Sequence, residues 1–273
     1  MSVFMTTPDS VSGRDFKGQS GRMKNGAGAC ESVRVRVANC PATFARAPRA
    51  GEVLAWIVDL TRPPVGPDEL FGRLTAHEQA RAVRYKIAKA REQFVIGRGL
   101  LRGLLADCLR VAPAAVPLDY LPSGKPVLAT DEIGLHFNVT HTDGVAVLVA
   151  GCSRVGVDVE RPRPLADADG LVGRYFSVAE GAAFRALPER HRLPGFFRGW
   201  TCKEAVIKAA GATVGCLADF DVELHPERSP RVNAVRDPQL AGPGWALAEW
   251  LTPDGAAVAL AVEGSAELVV ERG

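Results

Sequence analysis

Gly156-Val157-Asp158-Val159-Glu160 and, about forty residues later, Trp200-Thr201-Cys202-Lys203-Glu204-Ala205-Val206-Ile207-Lys208 together hold three carboxylates and two lysines. Carboxylate oxygens suit a hard cation and an ammonium suits a phosphate oxygen, so the set is what a metal–pyrophosphate site would need. Val155, Val157 and Val159 alternate with Gly156, Asp158 and Glu160, the period of a strand reaching its end. Side chains two apart on a strand share a face, which brings Asp158 and Glu160 together with Cα atoms roughly 6.5 Å apart. Arg161-Pro162-Arg163-Pro164 stops the strand, because proline cannot donate to a ladder. Taken in isolation, an Asp-x-Glu pair reads first as two solvated acids on an exposed edge.

The second segment has helical spacing. Phe197, Trp200, Glu204, Ile207, Lys208 and Gly211 follow steps of three and four and so share one face. On a solvated helix Glu204 and Lys208 would be an ordinary i,i+4 pair worth only ~0.3–0.5 kcal/mol. Trp200 and Ile207 flank Glu204 on the side that should be buried, however, and a buried acid needs a partner. A cation shared with Asp158 and Glu160 would be one, and Lys208, a turn further on, is placed for a phosphate oxygen.

With Gly124-Lys125-Pro126 and Phe137-Asn138-Val139-Thr140-His141-Thr142 upstream, these segments resemble, in order and spacing, the motifs of Sfp-type 4′-phosphopantetheinyl transferases over roughly residues 52 to 250. The resemblance implies an α+β fold of two similar halves related by a pseudo-twofold, with the active site in the cleft between them. It implies Mg²⁺-dependent transfer of the 4′-phosphopantetheine arm of coenzyme A to a serine of an acyl or peptidyl carrier protein, releasing adenosine 3′,5′-bisphosphate. Fatty acid, polyketide and non-ribosomal peptide carriers all stay open.

Carried over residue by residue, the resemblance makes Asp158, Glu160 and Glu204 the metal ligands and Glu204 and Lys208 the catalytic pair. Glu204 would take the serine proton directly or through a metal-bound water, and Lys208 would meet the pyrophosphate. Arg81, Lys125, Thr140, His141 and Lys208 would bind coenzyme A, with Lys125 near its nucleotide and His141 near its 3′-phosphate. Thr140 stands where the family has serine and keeps the hydroxyl. Lys203 fills the other motif lysine position, with a solvent-facing structural role as its alternative, and Cys202 is assigned no chemistry. Two further function classes compete: a non-catalytic module binding coenzyme A or a carrier protein, and a Mg²⁺-dependent pyrophosphate hydrolase. The first should have lost a carboxylate or Lys208, and the second would not need the Gly-Lys-Pro and Asn-Val-Thr-His-Thr segments.

The chain has 273 residues, 47% hydrophobic and 23% charged, enough for one large or two small domains. Its net charge of +2 is unevenly spread: residues 1–50 carry +5 and the remainder −3. The basic excess thus belongs to the leader, and nothing in the body points to nucleic acid. Residues 1–48, rich in small residues and Arg, read as a disordered leader or an over-extended start, without the apolar core of a secretory signal. A transit peptide fits them less well because of Asp9, Asp15 and Glu31. No apolar run is long enough to span a membrane. The six cysteines lack C-x-x-C spacing, which suits reduced thiols and argues against a cysteine zinc site. The expectation is a cytoplasmic monomer with an N-terminal half over 49–155, a C-terminal half over 156–262 and a tail over 263–273.

Within the halves, Val53 to Leu60 reads as a buried strand and Thr75-Ala76-His77-Glu78 as a capping box opening a basic amphipathic helix. Phe94 to Leu109 continues as an apolar helix. Short strands follow at 135–137 and 145–150, then a helix over 170–187, a helix over 198–210, a strand at 220–224 and a closing hairpin through Pro253-Asp254-Gly255. Gly97-Arg98-Gly99-Leu100-Leu101-Arg102-Gly103 is not a dinucleotide fingerprint, and His77-Glu78-Gln79-Ala80-Arg81 lacks the second histidine of a zinc protease. No Walker loop is present.

Overall fold

The computed structural model describes residues 32–130 and 134–273. In the first half, β1 (Ser32–Asn39) and β2 (Glu52–Asp59) lead into α1 (Pro67–Gly72), α2 (Ala76–Arg84) and α3 (Ala88–Leu109). The small hairpin β3 (Leu118–Tyr120) and β4 (Pro126–Leu128) and the longer pair β5 (His136–Thr142) and β6 (Val145–Gly151) complete it. The second half runs β7 (Val155–Glu160), α4 (Ala168–Tyr175), α5 (Val178–Ala186), α6 (Glu189–Ala210), β8 (Phe220–Val222), β9 (Val232–Val235), β10 (Trp245–Leu251), β11 (Ala257–Glu263) and β12 (Glu267–Arg272).

The expected α+β architecture of two halves is present: a five-stranded sheet, ordered β12-β1-β2-β6-β5, and a three-stranded sheet, β10-β11-β7. Each half packs a 22-residue helix, α3 or α6, into its core. Strand alternation divides the side chains between layers. Leu54, Trp56, Leu148 and Ala150 face the cluster containing Leu100 and Leu104 of α3. Val53, Ala55, Val147 and Val149 face the other way, onto Val157, Val159, Val258 and Leu260 of the second sheet. With its valines committed to that sheet–sheet cluster, β7 must turn Gly156, Asp158 and Glu160 toward α6.

Two boundaries differ from the sequence reading. Residues 32–48 are part of the body: β1 lies between β12 and β2, parallel to both, with Val35 fully buried and Phe44 edge-on to Trp56 at 5.0 Å. The 263–273 tail likewise supplies β12, which covers the open side of β1. The part of the leader over 1–31 lies outside the described residues. Smaller differences have local causes. The helix expected over 170–187 is broken at Phe176, where Ser177 and Glu180 form a capping box that starts α5. The basic stretch that follows the Thr75–Glu78 capping box is split between two helices, α2 ending at Arg84 and α3 starting at Ala88.

Candidate active site

The site forms where α6 crosses β7 and the edge of β5. Gly156 sets how close helix and strand lie: a Cβ there would fall 2.2 Å from the Ala205 carbonyl oxygen and 2.3 Å from the Ala209 nitrogen. A glycine inside a strand marks such an approach, and Ala205 and Ala209 keep the helix side equally thin. On the other side of β7, Asn138 Oδ1 accepts the Val157 N–H at 3.0 Å, joining the two halves through a side chain where no ladder continues.

This packing gathers Asp158 and Glu204 around Lys208, with Glu160 buried on the same face of β7 as Asp158. Lys208 Nζ lies 2.5 Å from Asp158 Oδ1 and 3.8 Å from Glu204 Oε2. Thr140 Oγ1 donates to Asp158 Oδ1 at 3.1 Å and lies 3.4 Å from Lys208 Nζ. Asp158, Glu160 and Glu204 are all buried, and Asp158 Oδ2 and Glu160 Oε2 have no hydrogen-bond partner. Leaving a buried carboxylate oxygen without a hydrogen bond is costly, and the cation nearest Glu160 Oε2 among the described residues is the Arg163 guanidinium at 3.8 Å.

The electrostatics agree. Burial pushes Glu204 up to about 7, against the opposing pull of Lys208 and with help from Asp158 and Glu160. Glu160 is raised by burial and then by Asp158. Burial alone would lower the Lys208 ammonium, but Asp158 and Glu204 outweigh it and hold Lys208 above its ordinary value. Lys208, between Asp158 and Glu204, and the half-exposed Arg163, at Glu160, are the cations that face the three carboxylates.

His141, one residue beyond Thr140 on β5, is half-buried, and burial together with Lys208 lowers its pKa. Lys125 reaches from the turn before β4 to the Val155 and Ala209 carbonyls, both at 3.2 Å, so it ties the start of β7 to the end of α6. Burial and nearby Arg154 lower it to about 8. Arg81 sits on α2 with its guanidinium 5.2 Å from the centre of the Phe94 ring, and Arg98 stacks between Phe94 and Tyr120.

Lys203 is not solvent-facing. It is 1% exposed and donates to both oxygens of Glu180, at 2.8 and 2.7 Å, and to the Phe220 carbonyl at 2.5 Å. Glu180 in turn accepts the N–H groups of Ser177 and Val222. This buried cross-tie holds α6 against α5 and β8. The anchors Asn138, Gly156 and Lys203 were present in the sequence but were not read in these roles; a glycine inside a strand is the one local signal that could have found its role.

A family model described as "4'-phosphopantetheinyl transferase superfamily" matches residues 154–261, and one described as "4'-phosphopantetheinyl transferase, N-terminal" matches residues 68–153. The two matches meet between β6 and β7, at the junction of the halves. The chain is 35% identical over 216 residues to the 4'-phosphopantetheinyl transferase HetI of Nostoc sp., covering 78% of this chain and 88% of that protein. It is 33% identical over 140 residues to AcpT of Escherichia coli K12, covering 51% of this chain and 68% of AcpT. Against a Bacillus subtilis 4'-phosphopantetheinyl transferase the identity is 25% over 158 residues, covering 58% and 69%. The chain thus belongs to the 4′-phosphopantetheinyl transferase superfamily, and is an enzyme that moves the phosphopantetheine arm of coenzyme A onto carrier proteins.

Proposed function

We propose that Asp158, Glu160 and Glu204 hold Mg²⁺ and that Lys208 and Glu204 run the transfer. The observation that carries this reading is the pair of buried carboxylate oxygens, on Asp158 and Glu160, left without a hydrogen-bond partner beside a third buried acid. An all-oxygen ligand set suits Mg²⁺, which when bound would neutralise charge on the pyrophosphate oxygens.

In the reaction, the carrier serine Oγ attacks the phosphorus that bears the pantetheine arm, and the bond from that phosphorus to the bridging oxygen breaks. Adenosine 3′,5′-bisphosphate departs with the bond's electron pair. Glu204 takes the serine proton directly or through an intervening water. Lys208 follows the charge from the Asp158 carboxylate toward the leaving phosphate, a positioned cation of the kind that lowers phosphoryl-transfer barriers. Thr140 orients Asp158 through its hydroxyl. His141, held uncharged by burial and Lys208, offers a nitrogen to the nucleotide phosphate. Lys125 and Arg81 line the approach to the nucleotide from the first half, Lys125 also bracing the β7–α6 junction.

The enzyme acts as a cytoplasmic monomer on carriers of fatty acid, polyketide or peptide synthesis. No helix among the described residues is long and apolar enough to cross a membrane. Intact mass of an apo acyl carrier protein incubated with enzyme, coenzyme A and Mg²⁺ tests the proposal. A gain of one phosphopantetheine that EDTA abolishes supports it, and a gain indifferent to EDTA refutes the metal assignment. No gain with any carrier, while coenzyme A still binds, favours a non-catalytic module.

A further inference from the structure

The far end of α6 holds a second group of metal-ligating side chains that the transfer does not use. His191, in the first turn of the helix, is buried, and its Nδ1 has no hydrogen-bond partner. The other ring nitrogen, Nε2, faces the turn after β8, where His225 and Glu227 stand two residues apart. One donor atom from each of the three residues lies within 4.8 Å of the other two. His191 Nε2 is 3.3 Å from Glu227 Oε1, and the two imidazoles meet edge to face with centroids 5.0 Å apart.

The turn is built rather than loose. The His225 N–H donates to Glu223 Oε1 at 3.0 Å, and Glu223 is itself held by Arg231 at 3.0 Å. The His225 carbonyl accepts the Arg228 N–H at 3.1 Å and a bond from the buried Arg198 guanidinium of α6. The His225 ring is less constrained: its Nδ1 accepts only a long bond, 3.3 Å, from the Glu227 N–H.

We propose that His191, His225 and Glu227 bind a zinc-class divalent cation, pinning the first turn of α6 to the loop between β8 and β9. Tetrahedral Zn²⁺ with ligand bonds of about 2.0–2.1 Å sets its ligand atoms roughly 3.3 Å apart, the spacing already present between His191 and Glu227. Glu227 is 69% exposed at its side chain and His225 half-buried, so small rotations close the third position, and a water completes the fourth. Two imidazoles and one carboxylate favour Zn²⁺ over Mg²⁺, whereas Asp158, Glu160 and Glu204 offer oxygens alone. Ligand chemistry thus keeps the two sites apart: one staples the helix base, and the other works at its opposite end.

The test uses the untagged full chain in saturating Mg²⁺ with reductant. Zn²⁺ affinity is read by competition with a chromophoric chelator, and melting temperature is read with and without Zn²⁺. His225→Gln and Glu227→Gln both lie on the exposed turn, and Cys216→Ser removes the other candidate cluster, Cys216 with Asp219 and Asp237. The wild type is expected to bind one Zn²⁺ and melt higher with it. His225→Gln and Glu227→Gln should each weaken binding at least about tenfold and lose the melting shift, while Cys216→Ser keeps both. Affinity unchanged in the two turn variants, or lost in Cys216→Ser, overturns the proposal.

Discussion

At the scale of single residues, the site depends on a missing methyl group. Gly156 lets the backbone of α6 approach β7 closely enough for Glu204 and Lys208 to reach Asp158. In Gly156→Ala the new Cβ meets backbone atoms at 2.2 and 2.3 Å, which cannot rotate aside as a side-chain tip would, so the helix must move. The expected cost is about 1–3 kcal/mol of stability from overpacking. Turnover is expected to fall further than stability, on the order of 10²-fold, because displaced catalytic groups lose their alignment. Urea unfolding and transfer rate, measured on the same sample, check both; a variant with full activity would mean that the close approach does not set the site. At this scale the residue spacing placed Asp158 and Glu160 on one strand and Glu204 and Lys208 one turn apart on a helix, as the structure has them. The role of Asn138 was not legible, because a polar residue in a strand gives no sign that its side chain will take a ladder hydrogen bond from the neighbouring half.

At the scale of elements, α6 carries the chemistry and is fixed along its length. Lys203 binds Glu180 and the Phe220 carbonyl behind the site, while Lys125 caps the Ala209 carbonyl near the end of the helix. Lys203→Met leaves Glu180 charged and buried, so a loss of about 3–5 kcal/mol is expected in the urea midpoint. Adding Glu180→Gln should return part of it, and equal stability of the Lys203→Met variant and wild type would refute the cross-tie. The strand period placed β7, and the capping box Thr75–Glu78 placed the start of α2, because each signal is local. The break between α4 and α5 had the same kind of signal, Ser177 followed by Glu180, masked by an apolar pattern running through it. The alternation of Val33, Val35 and Val37 in β1 was masked by the Gly- and Arg-rich composition around it. Its value emerges only when β2 and β12 supply neighbours from distant parts of the chain.

At the scale of the whole molecule, the termini of the described chain close the fold: β12 and β1 complete the larger sheet, and Glu52 fastens their surroundings. Glu52 takes two bonds from Arg46, at 2.5 and 2.6 Å, one from the Arg49 N–H, and an ion pair with Arg36 of β1 at 3.0 Å. The Arg46 hydrogen bonds, above all, lower its carboxyl to about 2 in the folded state. A depressed carboxylate stabilises fully above its unfolded value of 4.5 and progressively less as pH falls toward about 2. Glu52→Gln should therefore lose about 1.5–3 kcal/mol at neutral pH and show a flatter acid limb between those values. An unaltered acid limb in pH-dependent urea unfolding would contradict the role. The two halves, so joined, meet where Asp158 and Lys208 of the second contact Thr140 of the first. The most direct test is the Mg²⁺ affinity of Glu160→Gln and Asp158→Asn, titrated with coenzyme A bound and with urea unfolding run alongside. Mg²⁺ binding is expected to weaken on the order of 10–100-fold or more in chains that still unfold cooperatively. Wild-type affinity in both folded variants would show that the cation binds elsewhere.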